Sequence, residues 1–200
     1  MSYEFSRRKL AEIIYSALLE DPFYETMERS VAGTGWHRKT AMLRYLDYSM
    51  KDAQRHGVLC VPEGDPFGVS VWTKPLDAAT REKASTEKKA FLSRHMGRGS
   101  LATYLRITGF MSARSTDLVP PDSWYLSIIA VSPDMQGRGL GPRLVQVVLE
   151  QADEAGVPTY LETFTPRNKS FYRRLGYEET AVVLEPTTAS EYSLMIRQPA

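Results

Sequence analysis

Apolar positions in the first quarter of the chain recur at intervals of three and four. Leu10, Ile13, Ile14, Ala17 and Leu18 share one side of a helical wheel, which predicts an amphipathic helix over 6–20. Pro22 marks its stop. Residues 23–36 lose the period and read as irregular, with Gly33 and Gly35 near their end. The helical spacing returns over Lys39–Arg55, where Met42, Tyr45, Leu46 and Met50 line one side and Gly57 caps the end. Val58–Val61 and Val69–Thr73 then read as two strands of a hairpin, turned at Gly64, Asp65 and Pro66. Residues 76–115 are helical in composition with a break near Gly97–Gly99, and TDLVPPD at 116–122 is a loop.

The second part of the chain is patterned more sharply. Trp124–Val131 is apolar and β-branched on both faces, as in a strand near the middle of a sheet. A glycine-rich stretch, Ser132–Gly141, leads into a helix predicted over Pro142–Ala155, with Leu144, Val145, Val148, Ala152 and Ala155 on one face. Pro142 suits the first turn of that helix and Gly156 its end. Thr159–Thr163 reads as a strand, Asn168–Leu175 as a short helix closed by Gly176, and Glu179–Leu184 with Tyr192–Arg197 as a final antiparallel pair. Strand, glycine loop, helix and strand in that order make a crossover between neighbouring parallel strands. No internal repeat or low-complexity tract interrupts this order.

Composition narrows the class. With 42% apolar and 24% charged residues in 200, one globular domain over 1–200 is expected. No apolar run approaches the roughly 20 residues of a membrane span. The start, MSYEFSRRKLAEII, lacks the layout of a signal peptide, and Cys60 stands alone, so a reducing cytoplasm is the expected setting. A net charge of +1 gives no broad attraction to nucleic acid or anionic lipid. Charge is nonetheless uneven. Residues 1–116 hold 18 Lys and Arg against 13 Asp and Glu, a net of +5, whereas 117–200 hold 7 against 11, a net of −4. Arg81, Lys83, Lys88, Lys89, Arg94 and Arg98 supply much of the first excess. A solvated helix face accounts for such a run, and contact with an anionic ligand is the alternative.

Candidate chemistry concentrates in the loop after Trp124–Val131. Glycines let a backbone turn sharply and approach a ligand. Amides in the first turn of a helix lack intrahelical partners and, with the helix dipole, suit a phosphate; Arg138 can add a charge-assisted contact. A Walker-type Gly-x-x-x-x-Gly-Lys-Ser/Thr run is absent. Gly137 and Gly139 begin a dinucleotide fingerprint, but Pro142 takes the place of its third glycine. Gln136, Gly139 and Gly141 instead match Gln/Arg-x-x-Gly-x-Gly/Ala. Together with AGVPTYLET at 155–163, PRN at 166–168, FYRRLGY at 171–177 and, more weakly, VWTKP at 71–75, this segment resembles the GNAT superfamily of N-acetyltransferases, and within it the puromycin N-acetyltransferases and their bacterial relatives.

That resemblance implies an α/β fold: a mixed, mostly antiparallel sheet of six or seven strands with a splayed parallel pair and helices on both faces. It implies acetyl-CoA as acyl donor, no metal, and a small-molecule amine as acceptor. Residues 117–200 would form the acetyl-CoA core, and 1–116 the acceptor side. Ile129, Ala130 and Val131 would flank the pantetheine arm through backbone groups, and Gln136, Gly137, Arg138, Gly139, Leu140 and Gly141 would hold the pyrophosphate. A strand-end N–H would stabilise the oxyanion. Tyr172 would be the general acid, or else an aromatic anchor; Asn168 would sit by the pantetheine arm, as a helix N-cap, or both. An alkyl ammonium, with a pKa of about 10, must lose a proton before it attacks. Glu162, a carboxylate in an apolar strand, is the candidate base, its alternative being a solvated or ion-paired strand residue.

A protein N-terminal or lysine acetyltransferase and a non-catalytic acyl-CoA-binding module are the rival functions. A homodimer is the expectation from the frequency of two-fold assemblies. His37, His56 and His95 have no ligand spacing, and Cys60 reads as a small core residue. Trp36, Trp72, Trp124, Tyr3, Tyr15, Tyr24 and Phe23 are open candidates for an acceptor pocket or for packing. With only Met1–Phe5 ahead of the first helix, the strand that opens most family members is expected to be short or missing, and 76–115 is long for the connection it makes.

Overall fold

The computed structural model describes residues 3–64 and 66–200. The first helix, α1 (Arg8–Ala17), forms where expected and buries Leu10, Ala11 and Ile14. Residues 3–7 form no strand; Met1 and Ser2, also part of the expected opening segment, lie outside the described residues, as does Asp65 of the predicted hairpin turn. Residues 23–36 depart from the sequence reading, because a second helix, α2 (Pro22–Ser30), fills much of that stretch. The reason is local: Asp21 caps it, accepting from the Phe23 amide at 3.0 Å, and Pro22 occupies its first turn, where a missing N–H costs nothing. Helix α3 (Gly35–His56) starts four residues ahead of the predicted Lys39.

A hairpin follows, β1 (Gly57–Cys60) with β2 (Gly68–Thr73). The 76–115 stretch resolves into α4 (Ala78–His95) and α5 (Arg98–Ser115), parted at Met96 and Gly97. Strand β3 (Trp124–Val131) has the predicted bounds. The expected Pro142–Ala155 helix begins differently. Pro142–Leu144 is a 3-10 turn, closed by Leu144 N–H to Gly141 O at 3.1 Å and Val145 N–H to Pro142 O at 3.0 Å. The α-helix proper, α6, runs only over Gln146–Glu154. Strand β4 (Thr159–Thr163) also has its predicted bounds, and α7 (Lys169–Arg174) follows a 3-10 turn at Pro166–Asn168. The chain closes with β5 (Glu178–Glu185) and β6 (Ser190–Arg197), each slightly longer than predicted.

Six strands form one sheet in the order β1-β2-β3-β4-β6-β5, and only β3 and β4 run parallel. This is the mixed, mostly antiparallel sheet the sequence implies. Helices cover both faces. On one, Leu10, Ile14, Met42, Leu46 and Leu92 of the N-terminal helices pack on Val69, Val71 and Ile128. On the other, Val148, Leu149 and Tyr172 pack on Trp72, Leu161 and Met195. A fully buried Leu or Ile contributes about 2 kcal/mol through burial alone, so each cluster is a substantial part of the stability.

Two features of β3 shape the site. Its parallel pairing with β4 covers only Trp124 with Thr159 and Tyr125 with Tyr160, after which the strands part. Its register with β2 slips by one residue: Val71 pairs with Ile128 and Trp72 with Leu126, passing over Ser127. Alternate residues of a regular strand share a face. Here Leu126 packs in one cluster and Ile128 in the other, so the bulge turns the strand over as it leaves β4. The Ser127 hydroxyl donates to Val71 O at 3.0 Å and fixes the bulge.

Polar ties hold the flanking parts in place. Asp47 on α3 accepts from the Tyr3 hydroxyl at 2.7 Å, the Ser6 amide at 3.2 Å and the Arg7 amide at 2.7 Å, and pairs with Lys51 at 3.0 Å. Burial opposes its ionisation, but these donors prevail and hold the carboxyl below its ordinary range. Arg197 on β6 grips Asp153 on α6 with both guanidinium nitrogens, at 2.6 and 2.7 Å.

Candidate active site

Where β3 and β4 part, a cavity of about 340 Å³ opens. Its sheet side presents Tyr125 and Ile129 from β3, Tyr160 and Glu162 from β4, and then Asn168 and Tyr172. Helices close the opposite side with Asp21 and Tyr24 at α2, Tyr45 and Asp52 from α3, and residues of α4 and α5. The size suits a small ligand. Tyr125 and Tyr160 stack at 4.7 Å at the last paired rung, directly before the strands diverge.

Glu162 is the chemical centre of this cavity. It follows Tyr160 on the same strand face, so alternation aims both inward. The Tyr125 hydroxyl donates to Oε2 at 3.2 Å. Oε1 is buried and has no hydrogen-bond partner among the described residues. Burial pushes the carboxyl up from 4.5 to about 7, against the lowering effect of the Tyr125 hydrogen bond. A carboxylate so placed takes up a proton readily near neutral pH. Glu162 forms no ion pair among the described residues, so its ion-paired alternative is not met.

Tyr172 is 6% exposed and lines the same cavity. Its ring also packs edge-on against Phe171 and Tyr177, at 5.2 and 6.1 Å, so it anchors α7 as well. Burial raises its pKa, which keeps the phenol protonated across the neutral range. Asn168 lines the cavity but makes no capping bond to α7, so its alternative reading as a side-chain N-cap is not met.

The glycine loop lies outside the cavity lining, as do Ala130 and Val131. Ala130 points its methyl into the N-terminal core cluster, leaving only its backbone for a ligand. Strand β3 connects the two regions: Ile129 lines the cavity, and the Val131 carbonyl at the strand end accepts from Gln136 Nε2 at 3.0 Å. Beyond it, no amide from Gln136 to Gly141 donates a hydrogen bond among the described residues. Gly137 and Gly139 have φ of +75° and +71°, conformations that side chains other than glycine resist. A Cβ at either would meet nothing within 4 Å, so space is open beside them. Gly141 is needed for a different reason, since a Cβ there would come within 2.8 Å of Phe171. Arg138 is exposed and donates to Asp134 O at 3.1 Å. Because the first turn after the loop is 3-10, the dipole of α6 starts farther from the loop than the sequence implies.

Of the open aromatic candidates, Phe23, Tyr24 and Trp72 line the cavity. Tyr3 bonds Asp47 and Tyr15 bonds Glu28 instead; Trp36 is 71% exposed, and Trp124 carries Lys74 over its ring at 3.5 Å. Cys60 packs, half-buried, at the margin of the α6–α7 cluster, and none of the three histidines lines the cavity. Tyr125, Tyr160, Tyr45, Tyr104, Asp21 and Lys88 were not singled out individually as pocket residues from sequence. For Tyr160 the signal was present, two residues before Glu162 on an alternating strand. Among the described residues, no group of three His, Cys, Asp or Glu is placed to hold a metal, and no helix is long and apolar enough to cross a membrane.

Comparison with known proteins bears on this arrangement. A family model described as the Acetyltransferase (GNAT) family matches residues 70–177, just over half of the chain. An uncharacterized N-acetyltransferase of Schizosaccharomyces pombe is 30% identical over 79 residues, which are 38% of this chain and 32% of that protein, so the match spans about a third of that relative's length. Among solved structures, a histone acetyltransferase HPA2 and related acetyltransferase from Corynebacterium glutamicum superposes with a TM-score of 0.62 at 20% identity, covering 100% of this chain and 95% of that one. Arylalkylamine N-acetyltransferase 2 from Aedes aegypti gives 0.62 at 14% identity, with 98% of each chain covered. At these identities the two structures share the fold with this chain.

Proposed function

We propose, from the premise that the chain belongs to the acetyltransferase (GNAT) family, that it transfers an acetyl group from acetyl-CoA to the amine of a small molecule. One observation carries the reading: a buried, unpartnered carboxylate oxygen of Glu162 in the cavity where the parallel strands part.

The residues fit the donor. Six consecutive backbone amides without partners among the described residues, with open space beside Gly137 and Gly139, suit a pyrophosphate, and Arg138 adds positive charge. The parted strand leaves backbone groups of Ile129, Ala130 and Val131 without a β4 partner, as an extended pantetheine arm requires. Asn168 stands near the same opening. When bound, acetyl-CoA supplies a thioester whose C–S bond breaks as the C–N bond to the acceptor forms.

The chain's own groups then divide the proton work. Glu162, at about 7, takes the proton that the acceptor ammonium must lose, directly or through one water. Tyr172, held protonated by burial, donates to the departing sulfur. A strand-end N–H of β3 polarises the carbonyl. In this reading residues 117–200 form the donor core and 1–116 supply the acceptor side.

Two related folds with differently named acceptors show that the sheet alone does not choose the substrate. The likeness to puromycin N-acetyltransferases rests on segments that, apart from the weaker VWTKP at 71–75, fall in the donor core, so the acceptor is better read from the cavity. About 340 Å³ walled by helices favours a small amine over a protein side chain. Calorimetry with acetyl-CoA, followed by CoA release across an amine panel, tests the reading. Binding with turnover that Glu162→Gln abolishes supports it. Binding without turnover on any amine identifies a non-catalytic acyl-CoA module, and no binding overturns the donor site as well.

A further inference from the structure

One cation in the cavity has no part in the proton transfers. Lys88 belongs to the basic run on α4, but its neighbours Glu87 and Lys89 are exposed whereas Lys88 is half-buried and lines the cavity. Among the described residues no carboxylate lies within ion-pair distance of its ammonium. The groups that act on it are Tyr104, Tyr45 and Asp52, and its Nζ stands 5.5 Å from the Tyr104 ring centre. Burial keeps Tyr45 protonated, so that phenol offers a dipole and no countercharge. Asp52, which also lines the cavity, is the carboxylate that acts on it, and does so from beyond ion-pair distance, so among the described residues the half-buried ammonium has no anion in direct contact.

A further carboxylate, Glu162, lines the same space. It stands on the strand side of the cavity, on β4, and Lys88 on the helical side, on α4, with Tyr24 and Tyr104 also in the lining. Asp21 does not fill the gap. Its carboxylate is engaged by the Phe23 amide at 3.0 Å and the Thr165 hydroxyl at 3.4 Å.

We infer that the acceptor carries a carboxylate remote from its reacting amine, and that Lys88 is the specificity-determining residue that receives it. The identity of the amine end rests on the acetyltransferase reading; the anion end rests on Lys88 and the cavity. A flat, apolar spacer between the two charges fits the tyrosine walls.

Matched probes separate these statements. Binding of 4-(2-aminoethyl)benzoate, phenethylamine and phenylalanine to the CoA-loaded protein is measured by calorimetry, and acetyl transfer to each is measured by CoA release from acetyl-CoA. The remote carboxylate should strengthen binding about tenfold over phenethylamine, as a charge-assisted contact does. Phenylalanine, whose carboxylate lies at the amine end, should gain nothing comparable. Lys88→Met should bring the first ratio close to one, and Lys88→Arg, which keeps the charge and guards against a folding artefact, should retain most of it. A wild-type ratio near one, a preference for phenethylamine, a ratio that Lys88→Met leaves intact, or no binding of any probe overturns the inference. If the ratio holds and no acetyl group is transferred, the proposed function fails while the anion site stands. If transfer proceeds with a ratio of one, the reverse is true.

Discussion

Replacing Glu162 with Gln reads the site through two opposite signatures. In the folded protein burial lifts this carboxyl from 4.5 to about 7. Between those values the unfolded chain has released its proton and the folded chain still holds one. The folded state then binds more protons, so stability falls as pH rises through that window. Taken from about pH 5 to about pH 8, the linkage amounts to about 2.5 kcal/mol. A Gln side chain has nothing to titrate and escapes that loss. Whatever its amide costs at the buried Oε1 position is the same at both pH values and cancels in the comparison. Urea unfolding of both proteins at both pH values gives the double difference, expected at about 2.5 kcal/mol in favour of the variant at the higher pH. Activity should move the other way. The wild-type rise in kcat/KM through about pH 7 should vanish, with a loss of about 10² to 10⁴ on the plateau. A double difference near zero would refute the desolvated carboxylate. A retained rate alongside the expected stability gain would refute its role as base and leave its burial established.

Four further substitutions probe other parts. Tyr172→Phe keeps the packing against Phe171 and Tyr177; kcat should drop about 10²-fold with acetyl-CoA affinity and melting temperature nearly unchanged, and full activity would remove it as the acid. In the loop, Gly137→Ala strains a φ of +75° without a clash, whereas Gly141→Ala drives a methyl to 2.8 Å from Phe171. Both should weaken acetyl-CoA binding in calorimetry, by roughly tenfold for a cost of 1–2 kcal/mol, and wild-type affinity in both would move the pyrophosphate elsewhere. Asp47→Ala strands the Tyr3 hydroxyl and the Ser6 and Arg7 amides; about 2–4 kcal/mol of stability should go, with faster hydrogen exchange at the N-terminal segment. Since the folded pKa of Asp47 lies below its ordinary value, its contribution is full above the unfolded pKa and fades as pH falls through the folded one. The gap between wild type and variant should therefore narrow in acid, and a gap that widened there would contradict the donor set around this carboxylate.

How much of the molecule could be read in advance follows from how local each feature is. Strands β3 and β4 carry dense apolar runs bounded by Pro or Gly, and their limits were legible. Helix α2 is hidden because Pro22 reads equally as the stop of α1 and, behind a capping Asp21, as the start of the next helix. That helix has one fully buried apolar anchor, Met27, too few to show a period. The start of α6 was misjudged because a proline at a first turn does not distinguish α from 3-10 geometry. The bulge at Ser127 left no mark in the sequence at all, since a one-residue slip is decided by the pairing with β2.

The same distinction divides the site. Donor-side chemistry is written in short segments: a loop of six residues, one strand end, and an Asn and a Tyr four positions apart. Glu162 was visible because a carboxylate in an apolar strand conflicts with its surroundings, and such local conflicts are kept where function requires them. The cavity wall is assembled from α2, α3, α4, α5 and the strands β2, β3 and β4, so no window of the chain contains it. Lys88 shows the difficulty. Helix α4 has no continuous apolar stripe and buries only Phe91 and Leu92 fully, so nothing local tells which of its lysines turns inward. A basic run that reads correctly as a solvated face for most of its members conceals the one member that reaches the cavity.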